Sequence, residues 1–183
     1  GLTRTLVPSL DTTRKLAHLT LDGTPAQLVS AGDQSAAITQ AIALTVAALT
    51  AEQVGGSQKC LEMAVEYAGS RLQFGRPIGS YQSIKHKCAD MLVSVECGKS
   101  AAYNTCFAAG AQQEESRGTA ALAKSYCSEA YFRAAAETMQ IHGGMGFTWE
   151  HPAHLYFKRA KASEILLGDP GYHREVLAGL VGI

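Results

Sequence analysis

Two helical hydrophobic patterns flank one tight break, Gly75-Arg-Pro-Ile-Gly79. Proline and two glycines within five positions stop the first helix and turn the chain back on itself. Before the break, small and apolar residues fill Ala36 to Ala51. Gly32-Asp-Gln-Ser35 offers capping side chains ahead of that run. The helix predicted here reaches Ser70 and is loosened at Gly55-Gly56. After the break, Ile84, Cys88, Met91, Val95, Gly98, Ala102, Cys106 and Ala109 recur at spacings of three and four, the helical period. A second long helix follows from that stripe.

Gln112 to Gly118 is polar and reads as a connection. A third helix runs from there to about His142, with Ala123, Cys127, Ala130, Ala134 and Ile141 along one side, and Gly143-Gly144 ends it. A fourth spans His151 to Leu166, and Gly168-Asp-Pro-Gly171 stops it. Tyr172 to Leu180 forms a short terminal helix. Four long helices with short links imply a mainly α protein, an antiparallel four-helix bundle.

Residues 1–30 differ in kind. Thr3-Arg-Thr-Leu-Val7, Lys15-Leu-Ala-His-Leu-Thr-Leu21 and Ala26-Gln-Leu-Val29 are short and partly alternating, punctuated by Pro8, Asp22-Gly23 and Pro25. These are strand and turn signals, yet two or three short strands bury little alone. The chain therefore reads as a C-terminal piece of a longer protein. Residues 1–30 would end a β-domain, and residues 31–183 would form the helical domain.

Composition narrows the function. The chain has 183 residues, 46% of them hydrophobic, and no formal net charge. Balanced charge gives no support to a nucleic-acid partner. The run from Ala36 to Ala51 is shorter than the roughly 20 apolar residues a membrane span needs, and four Thr and Gln residues interrupt it, so it is read as a buried helix. The five cysteines, Cys60, Cys88, Cys97, Cys106 and Cys127, contain no C-x-x-C pair and lie in helical patterns. Buried, reduced thiols in a cytoplasmic protein are the expectation. His151 and His154 could share a helix face, but no cysteine or carboxylate pair completes a metal site; no metal is expected. Phosphate-loop, Rossmann and nucleophile-elbow patterns do not occur.

Two segments carry chemistry. Arg71 ends the first helix, where a cation suits the helix dipole. A guanidinium can also hold phosphate oxygens bidentately, and Phe74, Ile78 and Gln82 stand close behind it in sequence. Phe74 and Ile78 could simply plug the turn. Gln140-Ile-His-Gly-Gly-Met-Gly-Phe147 is glycine-rich at a helix end. Its glycines serve as a helix stop or let main chain approach a ligand closely. Met145 and Phe147 read as packing residues.

With these two segments the chain resembles the C-terminal helical domain of acyl-CoA dehydrogenases, a family of flavin enzymes. The resemblance covers nearly the whole chain; Asp11-Thr-Thr-Arg-Lys-Leu-Ala17 and Leu21-Asp-Gly23 resemble the end of the family's middle β-domain. It implies that Arg71, Phe74, Gly75 and Gln82 contact FAD, with Arg71 facing the pyrophosphate of a cofactor in the neighbouring subunit. It likewise implies that Gln140, Gly143 and Gly144 place backbone amides against the FAD diphosphate across a dimer interface. The implied reaction is α,β-dehydrogenation of an acyl-CoA thioester, with an electron-transfer flavoprotein as acceptor.

One feature of the family is missing. Removal of the α-proton needs a base, which burial can tune. Most members carry a glutamate before a glycine after the fourth helix; counting from Gln140, that position is Leu167, followed by Gly168. The alternative position on the first helix falls near Thr45. The first carboxylate after it is Glu52, about two turns on. Asp169 lies two residues past the usual position and could serve only after a shift in register; a turn carboxylate there more often caps a helix. The family includes actinobacterial enzymes, linked to sterol side-chain breakdown, assembled from two different dehydrogenase-like chains. A subunit that binds FAD and builds a homo- or hetero-tetramer without supplying the base is therefore one expectation. A competent flavoprotein using Asp169 or a residue outside this segment is another, and a flavin-free helical scaffold a third.

Overall fold

The computed structural model describes residues 1–111 and 115–183. A hairpin of β1 (Leu2–Val7) and β2 (Leu16–Leu21) precedes the helices. Five helices follow: α1 (Ser35–Ser70), α2 (Gln82–Gly110), α3 (Ser116–His142), α4 (Ala153–Ile165) and α5 (Pro170–Val181). Two-residue strands β3 (Leu72–Gln73) and β4 (Arg76–Pro77) form a miniature hairpin between α1 and α2. The third helix begins at Ser116, inside the stretch expected to be a connection; Gln112–Glu114 of that stretch lie outside the described residues. The fourth is 13 residues long, much shorter than α1, α2 and α3.

Helix α3 is the centre of the bundle and packs against α1, α2, α4 and α5. The main core lies where α1, α2 and α3 meet and includes Cys60, Ala64, Met91, Val95, Tyr131 and Ala134, with Ala160 of α4 against it. Helix α1 runs unbroken through Gly55-Gly56, contrary to the loosening expected there. The reason is steric. A Cβ on Gly56 would stand 2.4 Å from the Tyr131 ring, so the missing side chain is the notch that admits a fully buried tyrosine. By length and composition alone α1 could cross a membrane. Its buried face, however, carries Thr50, Gln53 and Ser57 into the bundle beside Val46, Cys60 and Ala64, and Gln53 donates to Ser128 Oγ of α3 at 3.0 Å.

The cysteine expectation holds for Cys60 and Cys127, which are buried, and Cys88 is half-buried. Cys97 and Cys106 are exposed, a correction. Helix α2 packs mainly against α1 and α3 and buries only seven of its 29 residues: Cys97 lies one step off the stripe, and Cys106, which the spacing placed on it, gives way to Thr105 as the buried residue of its turn.

Every residue of β1 and β2 is exposed. The loop between them is nevertheless fixed to the bundle. Asp11, 1% exposed, accepts from Thr13 N (2.9 Å) and Thr13 Oγ1 (2.5 Å), and from the Arg159 guanidinium of α4 (3.2 Å). Arg159 also grips Glu52 of α1 bidentately at 2.9 and 3.0 Å, and Arg14 donates to the same carboxylate at 2.6 Å. Two carboxylates and two guanidiniums thus form one neutral cluster joining β-segment, α1 and α4.

Candidate functional site

The two sequence motifs come together at one end of the bundle. Arg71 caps α1 with extended backbone; its N–H donates to Tyr67 O at 2.9 Å, and its carbonyl accepts from Ile78 N at 2.8 Å. Phe74 and Gly75 form the two-residue tip of the β3–β4 hairpin, with φ of +53° and +78°. Two consecutive positive φ angles match the twist of a tight hairpin, and glycine suits the second of them. Phe74 is 92% exposed, so it does not plug the turn, a correction to that role. Its ring stands edge-on to Tyr81 with centroids 6.5 Å apart, and the Arg76 guanidinium lies 4.1 Å from the Tyr81 ring centroid. Ile78 does pack against the core. Gln82 opens α2 on the exposed surface.

One turn before Arg71, Tyr67 stacks on His142 of α3 (centroids 4.3 Å, 23° between planes). His142 Nδ1–H donates to Thr138 O at 2.7 Å, and the ring also meets His151 at 4.2 Å. This aromatic stack binds the C-terminal ends of α1 and α3 side by side. Gly143, next in sequence, has φ +59° and ψ −136°, a conformation that glycine alone adopts easily. A Cβ on Gly143 or Gly144 would meet nothing within 4 Å, so open space lies over this backbone. Gln140 stands one turn back on α3 and accepts from Gly143 N through its carbonyl. Met145 and Phe147 are 48% and 69% exposed, a correction to their reading as packing residues; the glycine-rich 3-10 turn lifts them off α3. His151 accepts from Ala153 N at 3.2 Å, and among the described residues no group of three metal-ligating side chains occurs.

These residues suit a diphosphate. Among the described residues Arg71, like Arg4, Arg76, Arg117 and Arg133, has no carboxylate partner, whereas Arg14 and Arg174 each have one and Arg159 has two. A guanidinium without a carboxylate partner can donate to phosphate oxygens, and main chain without a Cβ can be closely approached.

The base position lies elsewhere, on a cavity of about 480 Å³ between α1, α3 and α5. Leu167 and Gly168 form one wall; Ile42, Val46, Ala120 and Val176 supply apolar lining, and Arg117, Tyr172 and His173 the ionisable groups. Among the described residues no carboxylate lines it. Leu167 has φ +62°, which costs a non-glycine residue on the order of 1 kcal/mol. Thr45 is exposed and donates to Ala41 O at 2.7 Å. Glu52 is held by two guanidiniums, which removes it as a free base. Asp169 is the N-cap of α5: its Oδ1 accepts from Tyr172 N at 2.8 Å, and it does not line the cavity.

Two residues at this wall carry no signal in the sequence. Lys124 sits one step off the α3 stripe, where a lysine ordinarily reaches solvent; it is fully buried. His173 donates through Nε2–H to Leu167 O at 2.9 Å. Burial pushes its pKa down and favours the neutral ring, against a smaller opposing effect of this bond, which either protonation state can make.

Comparison with known proteins agrees with this geometry. The sequence model for the acyl-CoA dehydrogenase C-terminal domain matches residues 35–181. The acyl-CoA dehydrogenase IpdE2 of Mycobacterium tuberculosis is 44% identical over 174 residues, which is 95% of this chain and 49% of that protein. FadE34 of the same organism is 38% identical over 85% of this chain and 21% of its own length. Among solved structures, butyryl-CoA dehydrogenase from Megasphaera elsdenii superposes with a TM-score of 0.92 at 25% identity, over 100% of this chain and 49% of that one. The ChsE4–ChsE5 complex from Mycobacterium tuberculosis superposes with a TM-score of 0.89 at 27% identity, again over 100% and 49%. The chain belongs to the acyl-CoA dehydrogenase family and comprises its C-terminal helical domain. It spans about half the length of IpdE2 and less of FadE34.

Proposed function

We propose that this chain is the C-terminal half of an FAD-dependent acyl-CoA dehydrogenase subunit that binds cofactor and partner subunits but supplies no base. Residues 1–30 would then close a middle β-domain, and residues 31–183 are the helical domain. The observation that carries the reading is the cavity wall at Leu167. A leucine cannot take a proton, and among the described residues no carboxylate lines the surrounding cavity.

Arg71, Phe74, Gln82, Gln140, Gly143 and Gly144 are the residues that would hold FAD. Arg71 supplies charge against the pyrophosphate, and Gly143-Gly144, with open space where a Cβ would stand, let main chain come close to it. Bound FAD would accept the hydride that leaves the β-carbon of the acyl thioester. The cavity at Leu167 contributes an apolar surface that keeps water from the acyl chain. The α-proton would be taken by a carboxylate of a second dehydrogenase-like chain in a hetero-tetramer. A complex of two chains, ChsE4 and ChsE5, among the structural neighbours supports an assembly of that kind. An electron-transfer flavoprotein would reoxidise the flavin, in the cytoplasm. Asp169 as a base has no support from geometry, because its carboxylate already caps α5.

The test is flavin content. The full-length protein, expressed with a dehydrogenase-like partner that carries the glutamate, is expected to purify yellow, and Arg71→Gln to lose most of the flavin with its helical fold intact. A colourless preparation that takes up no FAD, alone or with its partner, would sink the reading.

A further inference from the structure

Leu167 keeps an unfavourable backbone conformation in a chain whose base position is apolar, so something must hold it there. Two ionisable groups do. Lys124, 0% exposed, directs its ammonium at three acceptors: Ser128 Oγ (3.0 Å), Glu164 O (2.9 Å) and Gly168 O (3.0 Å). Three N–H bonds meet three acceptors, so the ammonium is fully satisfied. Two of those acceptors are carbonyls on either side of Leu167: the last turn of α4 and the residue after the leucine. No carboxylate oxygen lies within ion-pair distance of Lys124 among the described residues; Glu164 turns its carboxylate to Lys161 at 3.0 Å.

From the opposite direction, His173 of α5 donates to Leu167 O at 2.9 Å. The loop is also sterically closed. Gly168 has φ +101°, and a Cβ there would stand 2.5 Å from the Tyr172 ring and 3.0 Å from His173 Nε2. Asp169 then fixes the start of α5 through its cap to Tyr172 N.

We propose that Lys124 and His173 are positioning residues: they grip the Glu164–Gly168 loop from two sides and hold Leu167 as the apolar wall of the cavity. A buried lysine without an ion pair among the described residues is costly to fold around, and its three bonds are best explained by the loop they fix. Burial depresses this ammonium to about 8, against a smaller opposing pull from the nearby Glu164 and Asp169 carboxylates, neither of which it pairs with. Only the description of the cavity as the acyl site rests on the function proposed above; the clasp itself stands on these contacts.

Hydrogen–deuterium exchange on the full-length protein tests it without flavin or acyl-CoA. In Lys124→Met, amides of residues 165–169 are expected to exchange at least about tenfold faster, with α1 and α2 unchanged. Lys124→Gln, which keeps two N–H donors, is expected to restore part of that protection. His173→Leu should open the same segment, while His173→Gln, which keeps a donor at the ε position, should stay near wild type; this pair reads the loop even if Lys124→Met fails to fold. Unchanged exchange at residues 165–169, or a rise spread evenly over all five helices, would overturn the proposal. A colourless protein that keeps the clasp would sink the functional reading and leave this one standing.

Discussion

At single positions, chemistry here is decided by what a side chain leaves room for. Gly55 and Gly56 are neighbours on α1 with opposite surroundings: open space above the first, the Tyr131 ring 2.4 Å from a Cβ on the second. Gly55→Ala is expected to raise stability by about 0.5–1 kcal/mol through helix propensity. Gly56→Ala is expected to lower it by about 1–3 kcal/mol through overpacking. Urea unfolding of the two variants checks both signs at once. Arg71 is the opposite case, a charge without a carboxylate partner among the described residues. Arg71→Gln should weaken FAD about tenfold or more, since a charge-assisted bond to phosphate is lost, while the midpoint of thermal unfolding stays put. Equal FAD affinity, measured by titration of the apo protein, would remove Arg71 from the cofactor site.

At the scale of elements, the helices were legible because their signals are local. The three-and-four spacing of Met91, Val95, Gly98 and Ala102 marks the buried stripe of α2 directly, and Gly143 stops α3 where glycine can take positive φ, whereas α4 ends at Ile165, three residues before the Gly168 that was read as its stop. Contacts between distant segments leave no such trace. The stack of Tyr67, His142 and His151 joins α1, α3 and the turn before α4, and nothing in the local pattern of any one element announces it. Lys124 gave no signal either, because its burial depends on carbonyls 40 and 44 residues away. The residues proposed to hold FAD rest on resemblance; spacing alone could not separate Arg71 from an ordinary helix-end cation.

The Asp11–Arg159–Glu52–Arg14 cluster was likewise hidden, and it makes a prediction for the joint between β-segment and bundle. Burial pushes the Asp11 carboxyl up, but hydrogen bonds from Thr13 and Arg159 outweigh it, and the group titrates below its ordinary 3.8. A depressed carboxylate contributes stability that is present above the unfolded value and is lost as pH falls through the folded one. Arg159→Met leaves Asp11 buried without its cation and should cost about 2–4 kcal/mol. Arg159→Met combined with Asp11→Asn should recover part of that loss. A simple sum of the two single effects, by chemical denaturation, would show that the pair does not couple.

The whole molecule carries opposed titrations in alkali. The folded chain sheds the Lys124 proton near 8, against an ordinary 10.5, so the unfolded chain binds more protons between those values and the Lys124 contribution to stability rises with pH. Cys60 and Cys127 act in reverse. Burial lifts both thiols from 9.0 to about 12, so stability falls as pH climbs from about 9. The wild-type curve therefore mixes both, and the difference between wild type and Lys124→Met isolates the lysine. That difference in unfolding free energy is expected to shift in favour of wild type by up to about 3 kcal/mol between pH 8 and 10.5. A flat difference would mean that Lys124 keeps its ordinary pKa.

On the proposed function, the chain is the helical half of a dehydrogenase subunit whose base position is a leucine. The direct test is acyl-CoA-dependent reduction of an artificial electron acceptor by the full-length chain, reconstituted with FAD. No turnover by the chain alone, and turnover on adding a dehydrogenase-like partner that carries a glutamate at the corresponding place, is the expected result. Sustained turnover by the chain alone would contradict it, because a base would then lie within this polypeptide.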